Sequence, residues 1–230
     1  MSIRDIFFGA MNQQIVQITR EPIGVGQERA CYLHPGDAHK VVKIQKGESS
    51  TQTRRELILY MNLARRGMRK FRHIPQYYGK LKSNLGEGFV VDLIADYDGA
   101  VSRSLWWHFE RGYPLAEFLP YLEELRQYLL DNLVIFSVDM GRYNVLFQKI
   151  SPQQARLVVI DGLGNHSAIN WFDNIAWFAR RKIERRWQRF IGRLENYSQQ
   201  MMREYDGSPK TLESAYRMAQ PVHTQSKQND

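Results

Sequence analysis

The apolar and polar positions divide the chain into an early stretch of period two and a later stretch of helical period. Val16 to Tyr32 predicts two strands around the turn Glu21-Pro22-Ile23-Gly24-Val25-Gly26-Gln27-Glu28-Arg29, and Lys40 to Gln45 predicts a third. In the third strand Val42 and Ile44 share one face, while Val41, Lys43 and Gln45 share the other. The period then turns helical. Leu59, Tyr60 and Leu63 stand at i+3, i+4 and i+7 from Glu56, so the acid lies on the face that packs inward. Lys80 to Lys82 and Gly88 to Asp92 predict a strand pair about Ser83-Asn84-Leu85-Gly86, with Phe89 to Gly99 as the fifth strand and the hinge, the latter near Leu93 to Asp96. From Val101 to Asn132 the pattern is helical. Trp106, Trp107 and Phe109 begin it, and after Pro120 the face is Leu122, Leu125 and Leu129 with Tyr121 and Tyr128. Trp171 to Leu194 predicts one or two more helices with Ile183, Trp187, Phe190, Ile191 and Leu194 as the apolar stripe.

The chemistry gathers between Leu133 and Asn165. A short apolar run ends at Phe136, a polar loop follows, and two strand-like segments, Asn144 to Ile150 and Arg156 to Ile160, flank Ser151-Pro152-Gln153-Gln154. A turn centred between Pro152 and Gln153 sets Asn144 opposite Asp161. Two oxygen ligands then meet at a hairpin mouth, with Asp139 on the incoming loop. Such a set suits Mg²⁺, which takes few protein ligands and leaves positions for phosphate oxygens.

Composition narrows the setting. The 230 residues carry a formal charge of +8 and one cysteine, Cys31, so an internal disulfide is excluded and a reducing compartment expected. MSIRDIFFGAMNQQ lacks a basic segment leading into an apolar core, and no apolar run approaches a membrane span, so a cytoplasmic protein is expected. The positive charge favours anionic partners. Arg180, Arg181, Lys182, Arg185, Arg186, Arg189 and Arg193 decorate the last predicted helix, residues 180–193 offering a surface for an anionic partner or, alternatively, a packing helix with a basic outer side. His73, beside a proline turn, reads as structural. Asp92, Asp96 and Asp98 read as hinge and turn residues, since no Ca²⁺-loop glycine or distal glutamate completes them.

Asp139-x4-Asn144, a hairpin and then Asp161-Gly162 is the catalytic-loop and metal-aspartate arrangement of protein-kinase-like folds. Upstream stand Gly24 and Gly26, the strand lysine Lys43 and the helix glutamate Glu56, in the order such a fold requires. Residues 18 to 195, notably PIGVGQERACYLHP, HIPQYYGKL and GFVVDLIADYDG, resemble the YrbL family (PhoP regulatory network protein), a small kinase-like family of proteobacteria. The resemblance implies a cytoplasmic kinase-like fold and supplies no substrate. The expected fold is therefore α+β and two-lobed: residues 1–99 an antiparallel five-stranded N-lobe with one helix, 100–215 a mainly helical C-lobe with the catalytic loop, and 216–230 a disordered tail.

The expected cofactors are ATP and Mg²⁺. Gly24 and Gly26 would let backbone approach the phosphates, Lys43 held by Glu56 would orient them, Asn144 and Asp161 would hold the metal, and Asp139 would position an acceptor hydroxyl. The pattern is also eroded. Arg29 holds the place of the third glycine, from which an arginine can reach a phosphate, and the usual histidine and arginine before Asp139 are Ser137 and Val138. Two readings stay open: a phosphotransferase acting on a small-molecule or protein hydroxyl, and a pseudokinase or regulatory binding module. Nucleic-acid binding through the basic helix is a third.

Overall fold

The computed structural model describes residues 15–47, 51–137, 140–164 and 175–212. A five-stranded antiparallel sheet in the order β1-β2-β3-β5-β4 is built from β1 (Gly24–Val25), β2 (Arg29–His34), β3 (Asp37–Gln45), β4 (Tyr77–Ser83) and β5 (Gly86–Asp92). One helix, α1 (Thr51–Arg65), joins β3 to β4. Its buried residues are Glu56, Leu59, Tyr60 and Leu63, the face that the helical period marks. Each large apolar side chain so buried contributes about 1.5–3 kcal/mol. The helix begins at Thr51, ahead of the Thr53–Glu56 spacing of a capping box, and its Gln52 N–H donates to Glu28 Oε2 of the β1–β2 turn at 3.0 Å.

The sheet's two faces are differently employed. Val42 and Ile44 pack with Ile18 and Val90 on one side, whereas Val41 faces the main core with Leu59, Tyr60 and Leu63. Before β1 the strand expected from Val16 shrinks to a single parallel bridge, Val16 to Ser83. Gly24 lies within β1 opposite Cys31 rather than in the turn.

The remainder is a short helix α2 (Leu105–Phe109), a 3₁₀ turn (Leu115–Phe118), α3 (Leu119–Asp131), a long helix α4 (Ala176–Glu204) and a second sheet. That sheet has the order β6-β7-β8, with β6 (Arg103–Ser104), β7 (Val145–Ser151) and β8 (Gln154–Val159). The expected helical run from Val101 is thus interrupted. Arg103–Ser104 pair with β7, and Gly112, at φ +83°, turns the chain before Pro114. Leu122, Leu125 and Leu129 form the buried face of α3. One apolar core runs from Val41 and Phe89 in the first sheet through Phe109, Phe136 and Phe147 to Ile183 and Leu194 on α4.

Two expectations need correction. In the β7–β8 hairpin Ser151 pairs with Gln154 at the turn, but a bulge between Lys149 and Ser151 shifts the register, so Val145 pairs with Val159 and the Ile160 N–H donates to the Asn144 carbonyl at 2.8 Å. Asn144 therefore stands beside Ile160, one residue short of Asp161. The extra residue is Ile150, which the bulge turns outward to 40% exposure. On α4, Arg186 is buried at 6% exposure and does not belong to the solvent-facing set; it lies within the stripe of Ile183, Trp187, Phe190 and Leu194. Residues 1–14, 48–50, 138–139, 165–174 and 213–230, and with them the expected disordered tail, lie outside the described residues.

Candidate functional site

Four charged side chains from four elements converge beneath the first sheet. Alternation along β3 turns Lys43 toward α1, and helical phase turns Glu56 toward β3. The Lys43 Nζ donates to Glu56 Oε1 at 2.8 Å, with side-chain exposures of 6% and 1%. The same ammonium donates to the Ile160 carbonyl at 2.7 Å, tying the first sheet to the end of the β7–β8 hairpin. Arg29 completes the group. In the β2–β3 register Arg29 pairs with Gln45 and Cys31 with Lys43, so Arg29 falls on the face of Lys43. Its Nη1 donates to Glu56 Oε2 at 2.6 Å and its Nη2 to Asp161 Oδ1. Both Glu56 oxygens are thereby engaged. Phe89 lies under the two cations, 5.6 Å from Lys43 Nζ and 5.7 Å from the Arg29 guanidinium carbon.

Burial works against the charge on Arg29, but Glu56 and then Asp161 outweigh it and hold the guanidinium above its ordinary pKa. Burial likewise pushes the Cys31 thiol up, so it is a poor nucleophile. Two cations and two carboxylates balance. Glu56 is the member the set can least lose, because it holds both buried cations and its removal leaves them with only the part-exposed Asp161.

The Asp161 to Gly164 segment is held by backbone. Asp161 Oδ1 accepts from the Gly162 N–H at 2.7 Å, the Ser137 N–H donates to the Gly162 carbonyl at 2.6 Å, and the Gly164 N–H donates to the Ile135 carbonyl at 2.8 Å. Gly164, at φ +93°, runs so close to α1 that a Cβ there would stand 2.6 Å from the Arg55 carbonyl. The Asn144 amide lies by the same segment, since a Cβ at Gly162 would come within 3.4 Å of Asn144 Nδ2. Asn144 and Asp161 are thus neighbours despite the shifted register. As hard oxygen donors on one loop mouth they fit Mg²⁺, although one Asp161 oxygen already serves Arg29. Asp139 lies outside the described residues.

Other candidate positions are differently occupied. The Gly26 N–H donates to the Arg29 carbonyl at 2.8 Å, and its carbonyl accepts from Lys46 Nζ at 2.7 Å, closing the turn on itself. Gly24 has open space where a side chain would be. Along the expected hinge, 93–96, the Leu93 N–H donates to the His39 carbonyl, the Ile94 carbonyl accepts from the Ser102 N–H, the Ala95 carbonyl accepts from Gln148, and the Asp96 N–H donates to the Ala100 carbonyl. Those groups are spent inside the protein. Asp92 accepts from the Gln76 N–H and the Tyr78 hydroxyl, Asp96 from Ser102 and Asp98 from the Ala100 N–H, all turn and hinge duties. His73 is buried, its Nδ1 donating to the Leu157 carbonyl at 2.8 Å.

Sequence reasoning gave Arg29 a reach to phosphate and Arg186 a place on the basic side of its helix, and missed the burial of both. Arg29 was visible as a departure from a glycine pattern, and strand alternation was the signal that could have turned it inward. Arg186, three residues after Ile183, donates to the Phe136 carbonyl, immediately before the loop that leads to Asp139; its place inside the apolar stripe was the signal.

The molecule is a mixed α+β protein with antiparallel sheets and a buried Lys–Glu–Arg group joined by the part-exposed Asp161. The chain belongs to the YrbL family: the model of PhoP regulatory network protein YrbL matches residues 17–195. YrbL of Escherichia coli is 35% identical over 178 residues, covering 75% of this chain and 84% of its own length, and YrbL of Shigella flexneri matches to the same extent. Among solved structures, a mutant kinase domain of Mycobacterium tuberculosis PknI is similar over 61% of this chain and 57% of that one, at 14% identity and a TM-score of 0.38. No helix among the described residues is long and apolar enough to cross a membrane.

Proposed function

We propose that the chain is a two-lobed, kinase-like, Mg-ATP-dependent phosphotransferase acting on a hydroxyl acceptor, with residues 1–99 as its nucleotide-side lobe and 100–215 as its acceptor-side lobe. The observation that carries this reading is the buried Lys43–Glu56 pair, set against the hairpin end that bears Asn144 and Asp161. Burying a lysine costs desolvation energy, which Glu56 and the Ile160 carbonyl offset here, and an ammonium so anchored is suited to orient α- and β-phosphates. Asn144 and Asp161 would hold Mg²⁺, which neutralises phosphate charge when bound. Asp139 would accept the proton of the attacking hydroxyl. Gly24, in the edge strand with open space above it, would let the phosphates approach backbone.

Thermal melting with Mg-ATP tests binding: saturating ligand, about a hundred times its dissociation constant, adds about 2.7 kcal/mol to the wild type and nothing to Asp161→Ala. Transfer of labelled γ-phosphate to hydroxyl acceptors, lost in Asp139→Asn with binding retained, tests the chemistry. No nucleotide-dependent shift in the wild type at any metal concentration would overturn the reading.

A pseudokinase or regulatory module is the second reading, favoured by the Arg29 contact on Asp161 and by the hinge groups already spent internally. It predicts nucleotide binding without turnover. Its working surface would be the outer side of α4, where Arg180, Arg181, Arg185 and Arg189 are exposed and an anionic partner would bind.

A further inference from the structure

We propose that Arg29 is an internal counter-ion that occupies the metal-side carboxylate, so that a divalent cation can take Asp161 only when the guanidinium gives it up. The inference rests on the reading of Asp161 as the metal-side residue and goes further by assigning control of that site to a residue outside it.

Three observations carry it. The guanidinium is forked: Nη1 is held by Glu56 and Nη2 by Asp161. Arg29 has a side-chain exposure of 4%, whereas that of Asp161 is 37%, so the arginine grips the carboxylate from inside and leaves its outer side open to an arriving ion. Third, the cluster is neutral as it stands, Lys43 and Arg29 against Glu56 and Asp161. A divalent ion added to this balanced set leaves excess buried positive charge unless phosphates arrive with it, which makes metal binding on its own unfavourable. Removing the guanidinium makes the set net negative and reverses that preference. Glu56 serves as a pivot in this device. It keeps Nη1 and Lys43 in place while Nη2 is exchanged, so the phosphate-facing lysine is not disturbed when Asp161 is released.

The experiment titrates Mn²⁺ alone, followed by the loss of the free-ion electron paramagnetic signal, into the full chain without nucleotide. The wild type should bind weakly. Arg29→Gln should bind at least about ten-fold more tightly, and Arg29→Gln combined with Asp161→Asn should return to the wild-type level. Arg29→Lys is the companion if the glutamine variant does not fold: one ammonium cannot fork between Glu56 and Asp161, so it should also tighten binding, by a smaller factor. No tightening in the folded variants, or a gain that survives Asp161→Asn, overturns the proposal. Because nucleotide is absent, the result stands apart from the phosphotransferase reading. Wild-type protein that binds and turns over Mg-ATP, with Mn²⁺ affinity indifferent to Arg29, would keep the function and remove the latch. Tightened Mn²⁺ binding in a protein that never binds ATP would do the reverse.

Discussion

Among the described residues two arginines are buried, one beneath the first sheet and one on α4, and they meet the same desolvation problem differently. Arg29, under the first sheet, meets two carboxylates and shares one of them with Lys43. Arg186, on α4, donates to a backbone carbonyl, that of Phe136. Exposure is nearly equal, 4% and 6%, so burial alone does not separate them; the contacts compared are the two carboxylates on Arg29 and the Phe136 carbonyl on Arg186. A guanidinium held by carboxylates belongs to a charge set, whose members depend on one another's charge. A guanidinium held by a carbonyl is a strut that fixes where the chain leaves the core for its polar loop. Around the first sheet the buried charge is answered by charge, and on α4 it is answered by a backbone dipole.

The largest effect expected from that contrast is at Glu56. Glu56→Ala leaves Lys43 and Arg29 as two buried cations with one half-exposed carboxylate between them, and should lower unfolding stability by about 3–5 kcal/mol in urea titration. A loss under about 1 kcal/mol would mean that the network is already solvated. Next is Arg186→Met, which keeps the packed stem and removes the donor to Phe136. Leaving that buried carbonyl unsatisfied should cost about 2 kcal/mol. If Arg186→Met proves as costly as Glu56→Ala, the strut carries charge as well and the contrast fails.

A pH series sharpens the comparison from the helical side. Burial pulls His108 down from 6.5 to about 4, partly opposed by its bond to the Ser104 carbonyl. Burial lowers His73 as well. For a base whose folded pKa is depressed, the unfolded chain binds more protons between the two values. Stability is then full above about pH 6.5 and falls as pH drops toward 4. From pH 7.5 to 5.5 the His108 share of that loss is about 1.3 kcal/mol, and His108→Gln should flatten the window. An unchanged slope in the variant would place the acid sensitivity elsewhere.

Much of this was readable in the residues, and the parts that were not have physical causes. Glu56 could be turned inward because Leu59, Tyr60 and Leu63 hold one helical phase around it. The Lys43 face followed from alternation alone. The β7–β8 hairpin was legible but its register was not: Ile150 looks like a core residue, and no local pattern says that a bulge will turn it out to 40% exposure. Arg29 escaped for the opposite reason. A charged residue after a glycine turn looks solvated, and its burial depends on Glu56 and Asp161, which are remote in sequence and adjacent only after folding.

The smallest effect tests what partial solvent does to the same chemistry. Arg126 on α3 donates through Nε and Nη2 to Glu184 on α4, at 3.1 and 2.9 Å, and through Nη1 to Glu123 at 2.9 Å. On paper this fork rivals the one at Arg29. The side chains, however, are 28% and 35% exposed, so water and salt screen the attraction, and holding two long side chains in one geometry costs entropy. A double-mutant cycle of Arg126→Ala and Glu184→Ala should therefore give a coupling of only about 0.5 kcal/mol, shrinking further in 1 M salt. A salt-insensitive coupling of about 3 kcal/mol would show that bidentate geometry, rather than burial, sets the strength of these arginine contacts, and the distinction drawn between the two halves would rest on the wrong variable.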